Sequence, residues 1–376
     1  MQDNNRTFGI IQDVTSNSVC FALKCQIVYF IYMFAATKLL PGTNFKGFPD
    51  PKGKVLMYKI NGLNTYLLTL ILIIIGKTFF NFTLIPLIEY FWSFFIASNI
   101  LAFVFSFILL IKGKISTHYK PHIQTWTPQL FNDWWFGSEQ NPRILDVDIK
   151  MYFYEPSLIG LQIFLLSFAE YQYNTYSLLS TNMILFQVFW FMWLITHYIR
   201  EDFMLSTWDI IAENFGFMLV WGDIVYLPYL YCIGGWYLGD FVQNSSGIYL
   251  LFITLLHFIS LYMYRDSNWQ KDRYRRQGDK AIIWNKKPQT LQNKLLISGW
   301  WGIGRHLNYT GEILVYFSIA MCGEFEAFNN YVLPLSLFCL LTHRATRDDK
   351  RCREKYGKLW QEYCSIAKFK IIPFIF

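Results

Sequence analysis

The chain has 376 residues, 54% of them hydrophobic and 20% aromatic, and its 16% charged residues fall short of the share of about a quarter usual in soluble domains. This excludes a conventional water-soluble enzyme, because a soluble core could not hide so many long apolar runs. The formal net charge of +7 is concentrated: Lys and Arg crowd residues 265–305 and 344–370, which the positive-inside rule turns toward the cytoplasm.

The N-terminal "MQDNNRTFGIIQDVTSNSVC" has no basic segment followed by a short apolar core and a small-residue cleavage site. No cleaved signal peptide is expected, and the first span acts as its own insertion signal. Apolar runs follow at 19–36, 64–82, 84–111, 157–171, 182–199, 214–238, 246–264, 309–322 and 328–342. A helix needs about 20 mostly apolar residues to cross the hydrocarbon core, so the pattern predicts an all-α, polytopic membrane protein with about nine or ten transmembrane helices. We read 1–376 as a single membrane domain, with N-terminal spans and a connector over 1–156 and the pocket-forming part over 157–376. Polar turns, as in "KGKVLMYKINGLNTYLLTL", join the first spans into hairpins. Two stretches are too charged to span. Residues 113–156 carry Trp and Tyr suited to the headgroup level, and in 265–308 Pro288 and several glycines argue against one continuous helix. The tail 344–376 reads as a charged helix to about Tyr363, followed by the amphipathic "KFKIIPFIF".

Within "HRATRDDKRCREKYGKLWQEY" (343–363), Arg344, Arg347, Arg351 and Lys355 recur every three or four residues, and Asp348, Cys352 and Tyr356 do so on a neighbouring face. On a helix these make two stripes. A stripe of guanidinium and ammonium groups matches phosphate oxygens. The plainer reading is a juxtamembrane anchor to acidic headgroups. A second basic cluster, "NWQKDRYRR" with Lys271 and Arg275, brackets the aromatic "SGWWGIGRHLNY" and favours a nucleotide carrying several phosphates. "WGIG" is not a dinucleotide fingerprint, since no strand precedes it and no GxGxxG follows. His118 and His122 in "HYKPH" have HxxxH spacing, but six histidines in all cannot complete further boxes. Seven cysteines form no CxxC pair, so neither a metal site nor a disulfide framework is expected. Asp223 in "VWGDIVYLPYLY" is costly inside a span unless it is paired or lines a cavity. Pro228, among Tyr226, Tyr229 and Tyr231, can kink the helix there. Interface packing is the plainer role for any one of these tyrosines, and Glu170, Glu312 and His197 near span ends read as solvated or snorkelling.

Four stretches taken together resemble the sterol reductase family of membrane enzymes over nearly the whole chain. They are "FGSEQNPRI" (136–144), "FGFMLVWGDIVYLPYLY" (215–231), "KLLISGWWGIGRHLNYTGE" (294–312), and the "HRxxRDxxxCxxKYGxxW" pattern with "IIPFIF" at the end. Within the family, "WGD" before "YLPYLY", "NGLNTYLLT" and "IWNKKPQ" look most like the delta-7 branch. "DIIAENFG", with Ala212 and Glu213, and "GSEQNPRI" depart from the usual "DIxHDxFG" and "GIExNPRI" forms. The resemblance implies NADPH-dependent reduction of a sterol carbon–carbon double bond, C7–C8 of 7-dehydrocholesterol-type sterols, with C14 as the alternative. It further implies phosphate contacts from Lys271 and Arg275, pocket walls from Leu296 and Trp301, and Asn308 with Tyr309 near the nicotinamide. Asp348, Cys352, Arg353, Glu354, Lys355, Tyr356 and Tyr363 would complete the pocket.

An isolated alkene is a poor hydride acceptor, so an acid must act beside the hydride donor. Tyr231 and Asp348 are the candidates, since apolar surroundings hold such groups protonated, and Arg344, one turn before Asp348, would orient its carboxyl. Rings such as Trp301 would stabilise developing positive charge. The sterol is expected to enter from lipid and NADPH from the cytosol, meeting near Tyr231. The expected partners are therefore the membrane, a sterol and further sterol-biosynthesis enzymes, with no nucleic acid. The expected location is the endoplasmic reticulum in a eukaryote and the inner membrane in a bacterium. Three competing readings have specific weaknesses. An isoprenylcysteine-type methyltransferase binds S-adenosylmethionine, which has no phosphate for the basic clusters. A non-catalytic sterol-binding scaffold built like the lamin B receptor would carry a basic soluble N-terminal region. A transporter would show an internal repeat of spans.

Overall fold

Four of the longer helices in this chain start on a Ser, Thr or Asp side-chain cap. A computed structural model describes residues 11–49, 55–116, 128–326 and 328–371, and the chain divides into two compact units, Met1–Val242 and Gln243–Phe376. In the first unit, α1 (Ser16–Leu39) opens on a capping box: the Ser18 amide donates to Thr15 Oγ1 (3.1 Å) and the Thr15 amide to Ser18 Oγ (2.9 Å). A hairpin of β1 (Thr43–Lys46) and β2 (Met57–Ile60), with Thr43 opposite Ile60, leads to α2 (Gly62–Phe80), which stops at Asn81 in the left-handed region. The long apolar run from 84 is broken near its start: α3 (Pro86–Glu89) is a single turn and α4 (Phe91–Ile115) is the span. After α5 (Gln129–Trp135) and the two-residue strands β3 (Arg143–Ile144) and β4 (Val147–Asp148), Asp148 caps α6 (Ile149–Tyr176) by accepting from the Met151 amide (3.1 Å). Ser180 caps α7 (Thr181–Ile199) in the same way. The short α8 (Trp208–Ile211) precedes α9 (Phe217–Trp221), a nine-residue π-helix (Gly222–Leu230) and α10 (Gly234–Asp240).

The expected kink at Pro228 therefore takes the form of a π-helix, in which the wider turn accommodates the missing amide donor. Packing around it is aromatic and polar. Tyr229 lies among Phe91, Phe95 and Phe164, with ring centroids 5.0 to 5.4 Å away. Its hydroxyl bonds Ser98 Oγ (2.8 Å) and accepts from Gln26 Nε2 (3.0 Å), tying α1, α4 and the π-helix together. Between apolar helices in lipid, close packing and such interhelical hydrogen bonds replace the hydrophobic effect as the main source of association. Two of the motif stretches meet here backbone to backbone. A Cβ built on Gly216 would lie 2.2 Å from the Gly137 nitrogen, and Gly137 itself has φ +98°. The Asn214 side-chain amide donates to the Gly137 carbonyl (3.0 Å) and the Phe215 amide to the Glu139 carbonyl (2.9 Å). Lys150 is fully buried beside this junction, donating to the Asp209 and Glu213 carbonyls at 2.6 and 2.7 Å.

The second unit contains α11 (Gly247–Gln277), capped by Ser246, the hairpin of β5 (Thr290–Leu291) and β6 (Leu295–Leu296), and α12 (Trp300–Ile303). It closes with α13 (Leu307–Ala320), α14 (Val332–Tyr356) and α15 (Lys358–Ile366). Helices α11 and α13 pack along their length, and buried His257 Nδ1 lies 2.9 Å from Ser318 Oγ between them.

The chain is a mostly helical, polytopic membrane protein. Among the described residues, six helical segments are long and apolar enough to cross a bilayer: Ser16–Leu39, Gly62–Phe80, Phe91–Ile115, Thr181–Ile199, Phe217–Asp240 and Gly247–Lys280. The count of nine or ten expected from apolar runs also takes in α6, α13 and α14. Their departures from a simple span are physical: α6 carries Lys150, Glu155, Gln162 and Glu170, α13 has 14 residues, and the second half of α14 is charged. The division expected at residue 156 falls inside α6. The single charged helix expected to Tyr363 is two, because Gly357 (φ +56°) ends α14 and begins α15.

Candidate active site

Helix α11 does not stop where its apolar run stops. "RDSNWQKDRYRRQ" has no Gly or Pro before Gly278, so the helix continues past residue 264 and carries Asp266, Ser267, Gln270, Lys271 and Arg275 out on successive turns. Three hydrogen bonds tie α12 to those turns. The Trp300 amide donates to Gln270 Oε1 (3.0 Å), the Trp300 indole to Asp266 Oδ2 (2.8 Å) and the Trp301 indole to the Ser267 carbonyl (2.9 Å). With the ring so fixed, the Lys271 ammonium lies 4.4 Å from the Trp301 ring centre. Buried Leu296 packs with Ile283 and Trp301. From the other side the Tyr363 hydroxyl donates to the Trp301 carbonyl (3.0 Å), while the Trp360 indole donates to Asp349 Oδ1 (3.1 Å) and pins α15 against α14.

The charges converge on α14. Lys271 feels Arg275, Asp348, Cys352 and Arg351, and Arg275 feels Tyr356, Asp348 and Arg351. Asp348 Oδ2 lies 3.8 Å from buried His306 Nε2. This approach is not an ion pair, because burial, with help from Lys271, Arg305 and Lys370, pushes the imidazole down to about 3 and keeps it neutral. The His306 ring stacks on Tyr309 at 4.9 Å and 9°. Burial and the Asp348 charge push the Cys352 thiol up to about 11, so it stays a thiol near neutrality. Among the described residues, three buried atoms here have no hydrogen-bond partner: Arg305 Nε, His306 Nε2 and Asn308 Oδ1. The Asn308 amide nitrogen is already committed to Asn268 Oδ1 (3.2 Å).

His306 supplies a pH prediction. Its folded-state value lies below the ordinary 6.5, so between about pH 6.5 and 3 the unfolded chain binds a proton that the folded chain does not. Stability should therefore fall as pH is lowered through that window, and His306→Gln should flatten that part of the curve. Thermal unfolding of both proteins in detergent from pH 7.5 to 4.5 checks this, and identical slopes would disprove it.

The structure brings Lys271, Arg275, Leu296, Trp301, Asn308, Tyr309, Asp348, Cys352, Tyr356 and Tyr363 into one unit from α11, α12, α13, α14, α15 and β6. Three expected residues face away. Arg353, Glu354 and Lys355 are exposed, and Arg353 pairs with Asp349 (3.1 Å), one turn back. A helix turns about 100° per residue, so 352–356 cannot all face one ligand; the 352/356 stripe is the inward one. Arg344 is half-buried one turn before Asp348, and its charge acts on Tyr264. Tyr231 belongs to the first unit, buried against the rings of Trp190 (6.1 Å) and Tyr226 (5.8 Å). Among the described residues no group of three or more His, Cys, Asp or Glu could hold a metal, and His118 and His122 lie outside them. Nothing in the sequence marks out His306, Asp266 or Asp349 as members of this site. His306 lies inside "SGWWGIGRHLNY", but a buried histidine and an exposed one look alike in a sequence.

The chain matches the model of the ergosterol biosynthesis ERG4/ERG24 family over residues 5–376. It is 31% identical over 354 residues to a Delta(14)-sterol reductase of Arabidopsis thaliana, covering 93% of this chain and 95% of the relative. It is 34% identical over 363 residues to a Delta(14)-sterol reductase of Dictyostelium discoideum (93% and 78%). It is 31% identical over 368 residues to a 7-dehydrocholesterol reductase of Xenopus laevis (92% and 78%).

Proposed function

Since the chain belongs to the ergosterol biosynthesis ERG4/ERG24 family, whose relatives named above are sterol reductases, we propose that it uses NADPH to reduce a sterol C7–C8 double bond. The observation that carries the cofactor assignment is the convergence of Lys271, Arg275, Trp301, Asp348 and Tyr363 from four helices of the second unit. The residues suit such a group: cations for its phosphates, the apolar wall of Leu296 and Trp301 for a flat ring, and the unpaired Asn308 Oδ1 as an acceptor for a carboxamide. NADPH, when bound, supplies the hydride. Lys271 and Arg275 hold the anionic end, Trp301 keeps Lys271 in place, and neutral His306 lets Asp348 serve the cations rather than the imidazole.

The other alkene carbon needs a proton, given by Tyr231, buried among rings, or by Asp348, which sits among Lys271, Arg275 and Arg351 and must take up a proton before it can give one, with Arg344 to orient it. Tyr231→Phe keeps the ring against Trp190, and Asp348→Asn keeps the shape, so each removes little but the proton. Turnover should drop by about 10²–10⁴-fold in the variant that removes the acid, with NADPH binding intact. Full turnover in both variants would refute both assignments. The position of reduction rests on "WGD" before "YLPYLY" and on "IWNKKPQ"; the relatives named for Delta(14) favour C14 as the second reading. Purified protein given NADPH with either 7-dehydrocholesterol or a C14-unsaturated sterol separates them by mass spectrometry of the products. Cholesterol from the first alone supports C7–C8, product from the second alone moves the assignment to C14, and no product from either defeats the proposal.

A further inference from the structure

An open groove of about 860 Å³ runs between α2, α6 and α7 of the first unit, apart from every residue assigned above to the cofactor or the proton. Its walls are aliphatic and aromatic: Leu70 and Ile74 from α2, Leu166 from α6, Val188 and Phe191 from α7. Ile74 is 63% exposed, so the groove opens outward along α2, which like α7 is long and apolar enough to cross a bilayer. The floor runs from Leu70 to Asn81, about 16 Å at 1.5 Å per residue, the length of a rigid four-ring lipid with its tail.

Along the groove Gln162 accepts from the Tyr66 hydroxyl (2.9 Å) and Gln187 donates to the Leu165 carbonyl (2.8 Å). The charged and exposed polar lining lies where α2 and α6 finish, at Lys77, Asn81, Thr83, Glu170 and Asn174. Glu170 is saturated there, accepting from the Lys77 ammonium, from Thr83 Oγ1 (2.8 Å) and from the Leu84 amide (3.0 Å). Its carboxylate cancels the Lys77 charge, so a phosphate headgroup would find no uncompensated cation among these lining groups. The exposed amides of Asn81 and Asn174 offer instead one donor and one acceptor to a small neutral head.

We propose that this groove is an accessory sterol site, with the sterol hydroxyl at Asn81 and Asn174 and the rings against Ile74, Leu166 and Val188. The choice of sterol rests on the family reading, since that is the amphiphile this enzyme draws from the bilayer. The site would hold a second sterol molecule near the enzyme without turning it over.

The test uses the full chain in phosphatidylcholine nanodiscs with a photoreactive, alkyne-tagged cholesterol, the labelled peptides being mapped by mass spectrometry. Label should fall on peptides from α2, α6 and α7 and be displaced by cholesterol but not by dioleoylglycerol. Ile74→Trp and Val188→Trp, which fill the groove, should each cut that label about tenfold and leave label elsewhere unchanged. Equal displacement by dioleoylglycerol would reduce the groove to a general lipid crevice, and absence of label from these helices would overturn the proposal. The wild-type competition decides the matter even if a filled variant fails to fold. Because labelling needs neither NADPH nor turnover, a chain that labels here but reduces no sterol would refute the catalytic reading and leave this one standing.

Discussion

Gly216→Ala will fail to give stably folded protein, and Gly137→Ala will fail with it. A methyl group on Gly216 would sit 2.2 Å from the Gly137 nitrogen and 2.6 Å from the Phe136 carbonyl carbon, both backbone atoms that no rotamer change can move. Gly137 adds a second cost, because φ +98° is a conformation that an L side chain rarely adopts. Overpacking of side chains costs about 1–3 kcal/mol, and a backbone overlap at a strained dihedral belongs beyond that range. The contact also sets register: it holds the Phe215 amide on the Glu139 carbonyl and so places the start of α9 and the π-helix behind it. Gly222→Ala is the control, since nothing lies within 4 Å of its would-be Cβ; in a helix that change should be neutral or stabilising by about 0.5–1 kcal/mol. Thermal size-exclusion profiles in detergent distinguish these outcomes. A Gly216→Ala protein as stable as wild type would mean that the two motif stretches do not touch.

The apolar runs were readable because a bilayer imposes one requirement on every span, and each of the nine runs is helical over most of its length, some of them as more than one helix. The boundaries were less readable where a local feature competed with hydropathy. Pro86 starts a separate turn inside the run from 84, Gly357 splits the charged tail, and α11 outlasts its apolar part by more than three turns. The basic clusters were visible as charge, and Lys271 and Arg275 do meet the 348/352/356 stripe. Arg353 and Lys355 looked like equal members of that cluster, since nothing short of the α14 surface that packs against its neighbours selects one face over another. Buried ionisable groups were the least legible. Lys150 appears in the sequence as one more connector lysine; its complete burial depends on two carbonyls that come from residues 209 and 213. Family membership removes the methyltransferase reading, which the basic clusters had already disfavoured.

With NADPH as the proposed cofactor, Lys271→Ala will raise the KM for it about 10- to 100-fold and leave kcat within a few-fold. The Lys271 ammonium lies against the Trp301 ring and the residue is half-buried, whereas the rim cations Arg347, Lys350 and Lys355 are exposed. A charge-assisted hydrogen bond to an anion is worth about 1.5–3 kcal/mol, which is the stated factor in affinity. The loss should appear in KM alone, because the phosphates bear the same charge before and during hydride transfer and their binding is uniform between the two. A rim cation behaves differently: Lys350→Ala should shift KM less than about threefold, since exposed charges are screened by salt within roughly 10 Å. The two substitutions thus separate a built phosphate site from a juxtamembrane anchor. An anchor would lose both lysines with similar, small effects that follow the anionic lipid content of the membrane. A phosphate site loses Lys271 sharply, in any lipid, and Trp301→Ala should reproduce part of that loss by freeing the ammonium from the ring that positions it.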